Sequence, residues 1–519
     1  MDQHIELQHR KREREEMSLP VAEFDVDGEF ETAQPVSMSI GSLSKRDRNG
    51  FYFLTMLYYL QGVPVGLAFG SVPFILKEHL SYGQIGIFSF ASYPYSLKLL
   101  WSPIVDAFFW PRFGRRRSWI VPIQLFSALV LLILSFRIDD LLKTAETKLP
   151  VITGFFFVLV FASATQDIAV DGWSLTLLSK PALPYASTAQ TIGINSGYFT
   201  SFTVFLALSS PELANRYFRS VPRDEGLVSF PEYLRLCSFA YLAVTAFVAF
   251  FYREDKEDED LGQNAWQSTK HIYHTMFGVL QLENMQKLIL VHLVAKIAFQ
   301  AAEAVTNLKL VEKGLSKEDL AVIVLIDFPF EIIFGYMAAK WSTRWSPLQP
   351  WLIAFVGRLI FAVISMSQVF FFPKQGATFT YLVYVTVVHV LGSFLSTVQF
   401  VSICAFHTQI ADPVIGGTYM TVLNTISNFG GTWPRALVLA GVDWFTTATC
   451  SATGDSCTTE PAKQRCRDLD GVCTTQRDGY YVMNIVCIIA GVLLFYGFIK
   501  RTLERLQNLP TQAWRSKKM

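Results

Sequence analysis

The chain has 519 residues, 51% of them hydrophobic and 17% charged, with a mean hydropathy of +0.32. A soluble chain of this size must cover itself with polar groups, so this balance excludes an ordinary globular enzyme and points to a protein that lives in lipid. The formal net charge of +1 gives no broad basic surface, so no nucleic-acid partner is expected.

Residues 1–48 are polar and charged, end in Lys45-Arg46-Asp47-Arg48 and hold no apolar stretch that could act as a signal peptide. They are expected to form a disordered cytosolic tail. Twelve apolar runs follow, at 51–75, 82–108, 118–137, 151–178, 185–209, 231–252, 285–309, 317–340, 350–372, 378–405, 415–445 and 479–500. Each is long enough to cross about 30 Å of hydrocarbon as a helix. Runs such as Val151 to Ala164 do not alternate as barrel strands do. The expected fold class is therefore an all-α membrane protein with twelve transmembrane helices in two six-helix bundles, residues 49–252 and 285–500. A cytosolic linker at 253–284, with the acidic run Glu254 to Asp260, separates the halves, and a basic cytosolic tail spans 501–519. Such a division is what a carrier needs if one half is to rock against the other around a midplane site. An even count puts both termini on one face. The lysines and arginines before the first run, at Arg112 to Arg117, Lys500 to Arg505 and Arg515 to Lys518, mark that face as cytosolic.

The first run carries Gly62, Pro64, Gly66, Gly70 and Pro73 near its centre, so a kink is expected, either lining a path or merely bending a packing helix. Ionisable residues inside apolar runs are costly and mark function by default. Here they are Lys98, Asp167, Asp171, Lys296, Glu303, Lys309, Asp327, Glu331, Arg358 and Arg435. Asp167 and Asp171 are four apart and share a helical face, as a gating or coupling pair or as partners of a basic residue. Lys98, Lys296, Arg358 and Arg435 form a cationic cavity for phosphates or carboxylates if their faces converge, and otherwise pair with the acids. His292, His389 and His407 are isolated in sequence and receive no role. Trp101, Trp110, Trp119 and Trp173 fall near the ends of runs and read as interfacial anchors.

Cys450, Cys457, Cys466 and Cys473 cluster in the polar loop 446–478. Their spacings of 6, 8 and 6 residues lack the CxxC pair of a zinc site, so two disulfides on an oxidising face are the preferred reading over a metal. No Walker loop, GxGxxG turn or GxSxG elbow is present, so neither a cofactor nor an enzymatic activity is expected.

The stretches Ser96-Leu97-Lys98-Leu99-Leu100-Trp101-Ser102-Pro103-Ile104-Val105-Asp106, Ala164-Thr165-Gln166-Asp167-Ile168-Ala169-Val170-Asp171-Gly172-Trp173, Ala302 to Glu312 and Asp412 to Asn424 resemble the acetyl-coenzyme A transporter family of the endoplasmic reticulum membrane, solute carrier family 33. That family is similar to the major facilitator superfamily, whose loop signature Asp106 and Gly114-Arg115-Arg116 would supply, at a wider spacing. The resemblance implies an alternating-access carrier of acetyl-coenzyme A from cytosol to lumen, in the lipid bilayer of the endoplasmic reticulum, with a homodimer compatible. It implies a substrate site drawing on Lys98, Lys296, Arg358, Arg435, Asn424 and Tyr419, and gating or coupling by Asp167, Asp171, Glu303, Asp106, Arg115 and Arg116. The end Arg515-Ser516-Lys517-Lys518-Met519 approximates a dilysine retrieval signal or is simply a positive-inside tail. The paired aspartates are shared in style with bacterial muropeptide permeases, so another anionic metabolite is the alternative cargo. A membrane acyltransferase is disfavoured, because no paired catalytic His and Asn stands out.

Overall fold

The computed structural model describes residues 43–179, 182, 184–252, 254, 265–344, 348–411 and 416–515. Most of the expected N-terminal tail, nearly all of the acidic run and the last four residues lie outside that set. Helices dominate, because a backbone in hydrocarbon must satisfy its own N–H and C=O groups. In chain order they are α1 (Lys45–Lys77), α2 (Tyr82–Phe88), α3 (Tyr93–Leu97), α4 (Ser102–Ala107), α5 (Arg117–Lys143), α6 (Ala145–Leu177) and α7 (Pro184–Phe199, continuing through a π turn to Ser209). After a short unlabelled helix, Pro211–Tyr217, come α8 (Phe230–Phe251), α9 (Ala265–Leu280), α10 (Glu283–Lys313), α11 (Lys317–Arg344), α12 (Leu348–Phe370), α13 (Phe379–Ile410), α14 (Gly416–Phe445), α15 (Glu460–Asp468) and α16 (Gly479–Gln507).

Among the described residues, nine of these helices are long and apolar enough to cross a membrane. The second expected run is not one helix. Residues 82–107 break into α2, α3 and α4 with 3₁₀ turns between them, where Pro94 and Pro103 withdraw donors and Lys98 begins the second turn. The expected kink in the first run is present as a π segment, Leu67–Ser71, lying between Pro64 and Pro73. The linker contains a helix, α9, that no pattern in the sequence announced.

Glycine sets how closely α1 and α7 approach. A Cβ on Gly62 would fall 2.3 Å from the Ile194 carbonyl oxygen, and one on Gly197 would fall 2.1 Å from that of Tyr59, so both positions need glycine. Capping fixes other starts: Ser81 with Gln84 and Ser229 with Glu232 form capping boxes at α2 and α8. Helices up to α8 pack largely on one another, α1 on α7 and α5 on α8, as do those from α10 onward, α11 on α13 and α10 on α16. The two sets meet where α2 and α3 lie against α14, while α9 fits Met276 between Leu99 and Val422. Phe136, Phe250, Phe251, Phe379 and Leu493 point outward, an apolar coat that suits lipid and not water.

Between α14 and α16, β1 (Thr447–Cys450) pairs antiparallel with β2 (Cys473–Arg477) beside α15. Two disulfides, Cys450–Cys466 and Cys457–Cys473, staple this unit. All four cysteines of this loop are thus paired. With Ala448 they supply its small core.

Candidate functional site

A cavity of about 790 Å³ lies among α10, α11, α12, α13 and α14, with every lining residue between His292 and Arg435. Lys296 enters it from a break in α10, where one residue in turn conformation separates Glu283–Ala295 from Ile297–Lys313. The break frees carbonyls, and Trp433 Nε1 donates to that of Leu293 at 2.9 Å. Gly430 lets α14 approach, since a Cβ there would fall 2.1 Å from the His292 carbonyl oxygen. Gly431 likewise leaves the Lys296 side chain room, with the Nζ 3.2 Å from where its Cβ would stand.

Arg358 of α12 donates to Glu303 of α10 and to Gln399 of α13, and its guanidinium lies 4.2 Å from the Phe299 ring centroid. That cation is therefore answered within the cavity wall. Lys296 and Arg435 make no ion pair among the described residues, and the buried Nε of Arg435 has no hydrogen-bond partner. Arg435 also borders a small cleft lined by Ala68, Phe69 and Pro73 of α1 and by α2, so it stands where the two helix sets face each other. Phe299, Trp351, Phe361 and Phe400 add aromatic faces to the lining.

The remaining residues singled out from the sequence lie elsewhere. Lys98 pairs with the fully buried Asp167, and its Nζ is 3.9 Å from Asp171. Asp171 in turn accepts from Tyr58 Oη at 2.7 Å and from Gln190 Nε2 at 2.9 Å. Lys98 does not line the cavity. Asp106 binds Arg116 Nη1 at 2.6 Å, and its backbone oxygen takes both Nε and Nη2 of Arg115, at 3.1 and 2.9 Å. Glu254 caps the N–H of Arg116 at 2.9 Å, and Gly172 lets the Arg116 guanidinium pass over α6. Tyr419 is buried with its Oη donating to the Trp514 carbonyl at 3.1 Å, and Asn424 is exposed; neither lines the cavity.

A second polar cluster lies at the end of the molecule that carries the disulfides. Glu312 accepts from Tyr82 Oη at 2.5 Å and from Lys309 Nζ at 3.1 Å, and Lys309 reaches Asp478 at 2.8 Å. The Tyr82 and Gly83 N–H groups donate to Asp443 at 3.2 and 2.6 Å, fastening α2 to α14.

One reading from the sequence is corrected below, and the histidines, isolated in sequence, find partners in space: His292 and His407 approach within 2.9 Å, and His389 Nε2 lies 3.5 Å from Asp327. These contacts bridge 115 and 62 positions of chain, so no local pattern signals them. Trp173 is not an interfacial anchor but a buried ring packed edge-on against Phe53 and Tyr252.

Comparison with known proteins bears on the fold and the family. Superposition on the nucleoside transporter NupG gives a TM-score of 0.59 at 11% identity, covering 89% of this chain and 100% of the other. A bacterial homolog of the human lysosomal transporter Spinster gives 0.57 at 13% identity, covering 90% and 100%. The fold is thus shared with these transporters. A membrane protein of Saccharomyces cerevisiae is 44% identical, covering 92% of this chain and 98% of its own. The anhydromuropeptide permease of Escherichia coli K12 is 30% identical over 149 residues, 28% of this chain and 29% of its own. The sequence family described as acetyl-coenzyme A transporter 1 matches residues 50–264, 254–347 and 345–516, so this multi-pass membrane protein belongs to the acetyl-coenzyme A transporter family.

Proposed function

We propose that the chain carries acetyl-coenzyme A from the cytosol into the lumen of the endoplasmic reticulum or Golgi by alternating access, as a twelve-span protein with both termini cytosolic. The observation that carries this reading is the roomy cavity whose two unpaired cations, Lys296 and Arg435, are the groups a phosphate-rich coenzyme needs. Arg358, held by Glu303, supplies a third positive edge and orients it. The aromatic lining offers faces for the base and the pantetheine arm. Two disulfides form in an oxidising compartment, which supports a luminal position for the loop bearing them and a cytosolic one for the opposite face.

Under this reading Asp106, Arg115 and Arg116 latch the cytosolic ends of α4 and α5, while Asp167 and Asp171 hold Lys98 as a joint between α3 and α6. Uptake of labelled acetyl-coenzyme A into proteoliposomes tests it. The native protein should accumulate label, and Lys296→Ala with Arg435→Ala should abolish accumulation. No uptake by the native protein, or full uptake by the double variant, would refute the reading.

The stretch shared with the anhydromuropeptide permease supports a second reading, carriage of another anionic conjugate by the same cavity. Competition by unlabelled anions separates the two, since only the first predicts that acetyl-coenzyme A is the strongest competitor.

A further inference from the structure

The cavity has two walls of opposite character. Lys296 and Arg435 belong to α10 and α14, which pack against each other, whereas Asp327, Glu331, His389 and Ser393 belong to the packed pair α11 and α13. Asp327 and Glu331 are four residues apart on α11 and so share one face. Asp327 is 5% exposed; its Oδ2 lies 3.5 Å from His389 Nε2, and its Oδ1 has no hydrogen-bond partner. Glu331 accepts from Ser393 Oγ only at 3.4 Å, a long contact that leaves its acceptor capacity largely unused. Gln300 and Gln399, both buried, also bring unpartnered atoms to this space, Oε1 and Nε2 respectively.

Buried, unfilled acceptors such as Asp327 Oδ1 and Gln300 Oε1 cost free energy unless the cargo brings donors to them. Phosphates bring only acceptors and negative charge, so they belong at the other wall. A metal ion is a poor occupant, because among the described residues Asp327, Glu331 and His389 do not bring three ligand atoms together. An amino-substituted purine suits the wall: its exocyclic amine is a double donor at the end of the coenzyme remote from the acetyl group.

We propose that Asp327 and Glu331 form a subsite for the amine-bearing base of the cargo, while Lys296 and Arg435 hold its phosphates. The proposal rests on the transport reading above and adds to it the orientation of the cargo across the cavity. The carboxylate of Asp327 accepts from the exocyclic N–H, and the base stacks on the aromatic lining.

The test is uptake into proteoliposomes of acetyl-coenzyme A and of its hypoxanthine counterpart, in which a carbonyl oxygen replaces the amine and the adjacent ring nitrogen carries hydrogen. The native protein should prefer the adenine form by on the order of tenfold, the cost of leaving a buried acceptor unmatched. Asp327→Asn replaces one acceptor by an N–H donor that matches the carbonyl, so the ratio should move toward the hypoxanthine form by a similar factor. A fall in both forms with the ratio unchanged would overturn the proposal and leave Asp327 a structural residue. A change confined to the pH dependence would also overturn it, making the group a proton site. If Asp327→Asn does not insert in the membrane, Glu331→Gln reads the same ratio: a shift toward the hypoxanthine form supports the subsite, and an unchanged ratio overturns it. Native protein that carries both forms without preference refutes the subsite alone, whereas native protein that carries neither refutes the transport reading beneath it.

Discussion

Two groups of charge ride on apolar helices and are treated differently. Around Lys98 opposite charges meet: Asp167 binds it through one oxygen, its other oxygen staying unpartnered, Asp171 stands 3.9 Å away with Oδ1 accepting from Tyr58 and Gln190, and nearby Arg116 is taken by Asp106. Around the cavity the inventory is similar, yet Lys296 and Arg435 stay on one wall and Asp327 and Glu331 on the other. Side chains that could have neutralised one another are kept apart by the helices that bear them. Unmatched charges on membrane helices are costly, so their separation across the cavity marks the place where a ligand completes them. The first group reads as a fastening, the second as a receptacle.

The sharpest way to break this contrast is at Lys98. Lys98→Met leaves Asp167 buried and unanswered, which should lower stability by about 3–5 kcal/mol, seen as a lowered unfolding midpoint in detergent. Lys98→Met with Asp167→Asn should recover most of that loss, and a double variant no better than the single would show that the pair is not what is being lost. Arg358→Met lies between the two behaviours. Its partner Glu303 is 45% exposed, so water screens the orphaned charge, and the cost should be about 2 kcal/mol, with reduced uptake in proteoliposomes.

Lys296→Met should behave oppositely to Lys98→Met. With no acid partner to strand, the midpoint should hold or rise, while acetyl-coenzyme A uptake falls about tenfold, equivalent to roughly 1.4 kcal/mol of lost binding. A lowered midpoint with normal uptake would put Lys296 in the fastening class. The smallest expected effect is at the α2–α14 contact. Asp443→Ala removes the acceptor of the Tyr82 and Gly83 amides, and their hydrogen exchange should quicken about fivefold, about 1 kcal/mol of local opening. Unchanged exchange would mean that packing alone holds that end shut.

Much of the architecture was legible in the chain because its cause is local. An apolar run of about 20 residues has few options in lipid, so the expected run 479–500 appears inside Gly479–Gln507 and 118–137 inside Arg117–Lys143. Pro64 and Pro73 announced the distortion of α1 through missing donors, and the four cysteines announced their own pairing as a set, though not as Cys450–Cys466 and Cys457–Cys473. The interruption of α10 at Lys296 had no such signal, since neither proline nor glycine stands there, and it faces the close approach of Gly430 from α14.

The sequence by itself determined that ionisable groups would ride on apolar helices and which residues they would be, because residue type and the hydropathy of its neighbours are written in the chain. Only the tertiary structure decided which of them meet. Lys98 was expected in the cavity and is spent on Asp167; Asp327 and His389 lie 62 positions apart and share a wall. Rotation of each helix about its axis and its depth in the bundle choose the partner of every charge, and those two variables are set by packing against other helices rather than by anything written within one.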